Sequence, residues 1–430
     1  MEMTRPGVGS QLLTEKKLAG PCLDKEYGKI DEQMRKTLQV MIVNKHCFSF
    51  YNFFSSMTQC LSFFNFQGKD VVLSQDGWSN VRREPIIASC LHIPGHSFLH
   101  DAVDVGDVTK DAQYCADLAK KSIESAEEKY GCKVIGFVSD NENKMLLVRS
   151  ILEEWRGKTF ITYGCSAHYL NLVQSAAHPP QVKAHLVEVQ KFFRNHQRPA
   201  AKLKMKGGKS PQLPNETRWT SDFEFLDTFN FNYQYYLDII DDESCPIPPN
   251  IKRILNNRQI KEAANHMLTQ LQIVTQSLNL LQSDTANFGD AINTWLMLSS
   301  SPALSDELKA AVQLRMEKAI TPFHMLAKML MNRARRQLPI RMKEAAMELL
   351  LELDPSFPGI MAAFEIQDTS LFPASAFMQS IKDVLEPIKY WQYVAKNTEM
   401  EPIQKFCQLA NRVFSCPTSS AGDDIIHIVC

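Results

Sequence analysis

Two aspartates of this 430-residue chain stand where strands are expected to end: Asp76 after the β-branched run Lys69 to Gln75, and Asp140 after Lys133 to Val138. Carboxylates projecting from one sheet edge suit metal-assisted phosphoryl transfer. Two Mg²⁺ or Mn²⁺ ions roughly 4 Å apart need shared acidic ligands, one ion activating the attacking oxygen and the other stabilising the leaving oxygen. Each aspartate also has a plainer reading, Asp76-Gly77 as a turn dipeptide and Asp140 as the cap of a following helix. Cys165 and His168 are spaced to share nearly one face of a helix start. Structural zinc takes about four ligands, and no second pair with suitable spacing is visible, Cys90 and His92 being read onto opposite faces of a strand. No structural zinc is therefore expected. The pair reads as a buried thiol with a locally bonded imidazole, or as a polar pocket beside DNA.

A third chemical feature is positive charge. Lys191, Arg194, Arg198, Lys202, Lys204, Lys206, Lys209 and Arg218 are opposed locally by Glu216 alone. Such a cluster suits phosphate contacts, which give affinity without reading sequence, and it equally suits a solvated loop. A second cluster, Lys328, Arg333, Arg335, Arg336, Arg341 and Lys343, is interleaved with Met and Leu and reads as the polar face of an amphipathic helix. Gly-rich phosphate loops and the HExxH, GxSxG and kinase signatures are missing from the sequence.

The elements that must position these groups are legible as patterns. Strands are expected over 69–75, 86–93 and 97–105, with Pro94-Gly95 between the last two. A helix follows over 111–130, then a strand over 133–138, a helix over 142–155, a strand over 159–163 and a helix from Ser166. The order βββαβαβα predicts an RNase H-like mixed sheet with flanking helices. After Pro179-Pro180 the pattern is helical: 181–197, a basic Gly/Pro loop over 198–214, 216–241, and successive helices over 250–397 punctuated by prolines. A last helix spans Pro402 to Phe414, and an exposed apolar stripe on it would mark a dimer face. The fold class expected is thus α/β plus all-α, the sheet followed by a large helical insertion.

Composition bounds the rest. The chain is 44% hydrophobic and 22% charged, with 47 Lys+Arg against 48 Asp+Glu, so a nucleic-acid surface has to be a local patch. Eleven cysteines occur without a CxxC pair, and Met1 to Gly20 lacks a secretory signal, which points to a reducing compartment. The charge-free stretch Cys47 to Gln67 is long enough to cross a bilayer. Its serines and asparagines argue for a buried or amphipathic segment instead, and no membrane partner is expected.

Four stretches in sequence order resemble motifs of the hAT family of cut-and-paste DNA transposases and proteins derived from them: DVVLSQDGWSNVRREPII, VIGFVSDNENKM, YGCSAHYLNLV and NETRWTSDF. LANRVFSCPTSSA, further on, resembles the start of that family's C-terminal dimerisation region. The resemblance implies an RNase H-like core interrupted by a helical insertion, with Asp76 and Asp140 as catalytic Mg²⁺ ligands. It also implies a pocket containing Cys165 and His168, Arg218 facing phosphate, and Trp219 stacking on an extruded base. DNA as partner, a homo-oligomer and a nuclear location follow from the same resemblance. The division expected is an N-terminal segment over 1–68, the RNase H-like domain over 69–242, the insertion over 243–400 and the start of the dimerisation region over 401–430.

The third carboxylate departs from the family pattern. Ungapped counting puts Asp424 where a Glu is expected, with Glu401 as another acid that could complete the site, and the family's supporting helix and N-terminal zinc finger are not found. The expected function is a transposase-derived nucleic-acid-binding protein that is catalytically incomplete and holds its oligomer weakly. The alternatives are an active Mg²⁺-dependent DNA-cleaving transposase and a non-catalytic protein-interaction scaffold.

Overall fold

The computed structural model describes residues 66–79, 84–174, 180–215, 220–331 and 338–420. The segment 1–65, Glu216 to Trp219, Arg333 to Arg336 and Asp424 lie outside them, so the expectations for Arg218, Trp219, Asp424 and most of Cys47 to Gln67 fall outside the described residues.

Five strands form one mixed sheet: β1 (Asp70–Ser79), β2 (Pro85–Ile93), β3 (His96–Asp104), β4 (Lys133–Ser139) and β5 (Ile161–Gly164), in the spatial order β3-β2-β1-β4-β5. β1 to β3 are an antiparallel meander, and β4 and β5 add in parallel to β1. That is the RNase H-like arrangement the element order predicts. One difference bears on the site: β1 does not end at a turn. Asp76 and Gly77 stay in the ladder opposite Ala88 and Ile87, and β1 continues to Ser79.

Parallel strands need crossovers that cover the sheet. Helix α1 (Ala112–Tyr130) starts on Asp111, whose side chain accepts from the Tyr114 N–H at 2.8 Å, and stops at Gly131 in the left-handed conformation. Helix α2 (Asn143–Arg156) packs on α1 and β5. After β5 come α3 (Ser166–Gln174), α4 (Pro180–Asn195), α5 (Gln197–Met205) and α6 (Ser221–Ile240). The run expected as a loop from Arg198 thus begins with a helix. Pro199 lies in its first turn, where a missing N–H costs nothing, and Gly207 at φ +89° follows its end.

The following region is helical as expected: α7 (Pro249–Leu255), α8 (Arg258–Leu281), α9 (Phe288–Ser300), α10 (Asp306–Ala319), α11 (Pro322–Leu330), α12 (Ile340–Leu353), α13 (Phe357–Glu365), α14 (Gln379–Val384), α15 (Pro387–Lys396) and α16 (Glu401–Ser415). The second basic cluster is not one amphipathic face. α11 ends at Leu330 and α12 begins after Pro339, while Lys328 is buried and donates to Asn293 Oδ1 at 2.6 Å.

One continuous apolar core joins sheet and insertion, from Val72, Val138, Ile161 and Tyr163 through α3 and α8 to α16 and Cys416. The apolar stripe of α16, with Ile403, Phe406, Cys407, Ala410, Val413 and Phe414, is buried inside the chain and not exposed. It packs on α15, α11, α13 and β1. Among the described residues no helix is long and apolar enough to cross a membrane.

Two histidines are sealed in this interior. Burial lowers His92 to about 4 and His324 to about 3. An unfolded chain protonates both near their ordinary value, so folding stability holds above about pH 6.5 and falls as pH drops toward 4. The expected slope is roughly 1.4 kcal/mol per pH unit for each histidine. Urea unfolding of the His324→Phe variant between pH 6.5 and 4.5 should show a shallower pH dependence than the parent chain; identical slopes would mean His324 is protonated in the fold.

Candidate functional site

β1 and β4 are paired in parallel up to Gln75 opposite Ser139. The next residue on each strand is an aspartate, so Asp76 and Asp140 leave the same sheet edge side by side. Their facing follows from their neighbours. Arg149 of α2 donates to Ser139 Oγ at 2.9 Å, and Ser122 of α1 donates at 3.2 Å to Ser89, the cross-strand neighbour of Gln75. Gln75 and Ser139 therefore look toward the α1/α2 layer. Alternation along a strand turns Asp76 and Asp140 to the opposite face, the side of α3 and the insertion.

Each carboxylate is oriented by a backbone N–H: Gly77 donates to Asp76 Oδ1 at 2.8 Å, and Glu142 donates to Asp140 Oδ1 at 3.1 Å. Burial pushes the Asp140 carboxyl above its ordinary range. The Glu142 N–H opposes that shift, the Glu142 and Asp76 charges add to it, and His168 opposes it.

Cys165 continues the β4–β5 ladder by one residue, its N–H donating to Ser139 O at 2.8 Å, and its side chain is fully buried. α3 starts at the next residue and brings His168 over the sheet edge. Burial disfavours protonation of His168, but the Cys165 sulfur and the Asp76 and Asp140 carboxylates outweigh it and hold the imidazole above its usual range. Four of the residues singled out in the sequence, Asp76, Asp140, Cys165 and His168, are thus brought to one edge. Asp140 does not cap the following helix, whose N-cap position is Glu142; its carboxylate instead accepts from the Glu142 N–H in the turn before it.

Several neighbours escaped sequence reasoning. Arg149 is 6% exposed, and its Nη1 also donates to Asp140 O at 3.0 Å. Its signal was present: Met145, Val148 and Leu152 mark the buried face of α2, and Arg149 falls among them. Asn141 Nδ2 donates to Cys165 O at 2.8 Å, and Gly164 permits this, because a Cβ there would stand 2.0 Å from Asn141 Oδ1. The segment after α16 straps the site from a distant part of the chain. Ser166 N donates to Thr418 O at 3.0 Å, and Ser420 N to Cys165 Sγ at 3.4 Å.

Glu401, one of the two acids considered for completing the site, stands apart from this group, and Asp424 lies outside the described residues. Glu401 opens α16, at the opposite end of that helix from the strap, and pairs with Lys405 at 2.8 Å. Among the described residues no cluster of three or more His, Cys, Asp or Glu side chains is arranged to hold a metal. The expectation that Cys90 and His92 point to opposite faces is wrong. They are two residues apart; Cys90 pairs in register with Ser74, and His92 Nε2 bonds Ser74 Oγ at 2.7 Å, so all three share a face. His92 Nδ1 meets Ser97 Oγ at 2.7 Å, and both ring nitrogens are satisfied.

The basic cluster is more neutral than its sequence. Acids of α6 and its C-terminal end, far along the chain, reach back to it: Asp242 pairs with Lys202, Asp238 with Lys206 at 3.4 Å and Asp227 with Lys209 at 3.2 Å. Lys204 is exposed, and among the described residues no ion pair forms at it.

The strand order and flanking helices define an RNase H-like sheet, with Asp76 and Asp140 at one edge. Residues 63–191, which include all five strands and all four of these edge residues, match the family described as Domain of unknown function (DUF659), a domain found in transposase-related proteins of the hAT type. No curated protein matches the chain.

The edge depends on close approach of β4 and β5. A Cβ on Gly136 would stand 2.5 Å from the backbone oxygen of Ile161, its register partner. Gly136→Ala should destabilise the fold by about 1–3 kcal/mol through overpacking. A urea midpoint unchanged from the parent would show that β5 yields without cost.

Proposed function

We propose that this chain is a transposase-related nucleic-acid-binding protein that keeps the RNase H-like sheet and its pair of metal-binding carboxylates without a completed cleavage site. The observation that carries the reading is the parallel register of β1 and β4, which sets Asp76 and Asp140 on one edge and one face beside His168. The donor chemistry fits a hard divalent ion such as Mg²⁺ or Mn²⁺. Both groups offer carboxylate oxygens, and their mutual repulsion is relieved by a dication. Such an ion supplies positive charge to a phosphate oxygen.

The chain's own residues then divide the work. Asp76 and Asp140 would hold the ion, and His168, whose protonated form its surroundings favour, would face the phosphate backbone. Lys202, Lys204 and Lys206 on and beside α5 add charge, with Arg218 at phosphate and Trp219 stacking on a base. The resemblance to transposases supports DNA as the nucleic acid, the nucleus as its place, and self-association as its assembly. The incomplete reading is supported by the sequence, in which Asp424 stands where the resemblance implies a Glu.

One observation favours a second reading, an active DNA-cleaving transposase. Ser420 touches Cys165, and Asp424 follows four residues later, within about 14 Å of extended chain.

Labelled duplex and hairpin DNA incubated with the protein in Mg²⁺ or Mn²⁺ separates the two. The expected result is binding that weakens steeply with salt, a slope reduced by about 1 in Lys204→Ala, and no nicking. Nicking that disappears in Asp76→Asn, Asp140→Asn and Asp424→Asn would establish the second reading. Absence of salt-sensitive binding would remove the first.

A further inference from the structure

Arg149 is an expensive residue for its position. A guanidinium taken out of water costs several kcal/mol, and replacing a buried ion by a well-packed apolar side chain is often neutral or stabilising. The helix face around it is already apolar, with Met145, Val148 and Leu152 buried on the same side. A residue serving α2 packing alone would be one more of these.

What Arg149 touches is specific. It bonds Ser139 Oγ at 2.9 Å and the backbone oxygen of Asp140 at 3.0 Å. One rigid fork therefore fixes the end of β4, the strand whose register with β1 sets Asp140 beside Asp76. The Asn141 bond to Cys165 O ties the same strand end to the start of α3. The Asp140 and His168 side chains hang from these two segments.

We infer that Arg149 is a positioning residue: by gripping the Ser139 side chain and the Asp140 backbone together, it holds the end of β4 so that the Asp140 carboxylate stands beside Asp76 as a shared divalent ion requires. The inference rests on the proposed metal-ligand role of Asp76 and Asp140. Groups that orient metal ligands typically change affinity by about 10- to 100-fold when altered.

Mn²⁺ titration of the full chain, followed by loss of the free-ion paramagnetic resonance signal, tests it beside Asp140→Asn, Arg149→Lys and Arg149→Met. Circular dichroism and the thermal midpoint report whether each variant is folded. The expected order of Mn²⁺ affinity is parent, then Arg149→Lys, then Arg149→Met. The lysine variant should lose several-fold, because one ammonium cannot replace a planar fork, and the methionine variant about 10-fold or more. If Arg149→Met fails to fold, the charge-conserving Arg149→Lys carries the test. Parent-like Mn²⁺ affinity in a folded Arg149→Lys, with binding lost in Asp140→Asn, overturns the positioning role and leaves the metal site standing. No Mn²⁺ binding that depends on Asp140 overturns the metal site and this inference with it.

Discussion

The parallel pairing of β1 with β4 is the constraint on which the remaining structure rests. A strand's side chains alternate faces, so a slip of one residue in this pairing would send one aspartate toward α1 and the other toward the insertion. The register is specified from both sides. On one face Val72 and Val138 enter the main core; on the other, Ser139 meets Arg149, and Gln75 lies beside the Ser89–Ser122 contact. Gly136 extends the same control outward, because β5 approaches β4 closely only where no Cβ intervenes. The strand of Cys165 and the helix of His168 follow from that approach.

Closure of the site comes from far along the chain. The segment Thr418 to Ser420 lies against Ser166 and Cys165 only after the chain has passed through the whole helical region, and Thr418 Oγ1 also donates to Leu281 O at the end of α8. Burial of the α16 stripe supplies most of the attachment. The ion pair between α16 and β1, Arg412 with Asp70 at 3.3 Å, is partly exposed and contributes at most about 1 kcal/mol. Loop closure over such a separation has to be compensated by contacts formed late, so the edge and its strap are completed together with the insertion's core.

The sequence was most legible where local pattern and tertiary role agree. Strand and helix order, the caps at Asp111 and Gly131, and the proline-punctuated helices were all readable by period and punctuation. Asp140 was legible as the residue after a strand, whereas Asp76, expected at a strand end by its Asp-Gly turn signature, lies inside β1 because the β2 ladder overrides that signature. What stayed hidden was cross-chain. No spacing rule reveals that Asp227, Asp238 and Asp242 fold back onto a lysine cluster, or that Ser420 reaches Cys165. The misassigned faces of Cys90 and His92 were of another kind, a slip in the strand period that the sequence itself could have corrected. Arg149 sits between the two: its helical phase predicted burial, but only the fold shows that its fork ends on Asp140.

Neutralisation of the α5 lysines changes what that surface can do for a polyanion. The pairs Lys206–Asp238 and Lys209–Asp227 are roughly half exposed on both sides, where ion pairs are worth about 0–1 kcal/mol and are screened within about 10 Å at moderate salt. A phosphate backbone can therefore displace the carboxylates at little cost in pairing. It then has to run beside acids that no longer have partners, and that repulsion subtracts from affinity. The sheet edge is different in kind, because the Cys165 sulfur, followed by Asp76 and Asp140, favours the protonated His168, and positive charge brought to those carboxylates would lower the repulsion that a phosphate meets. On the proposed reading, a strand of nucleic acid would be held weakly along α5 and most strongly where positive charge is brought to Asp76 and Asp140.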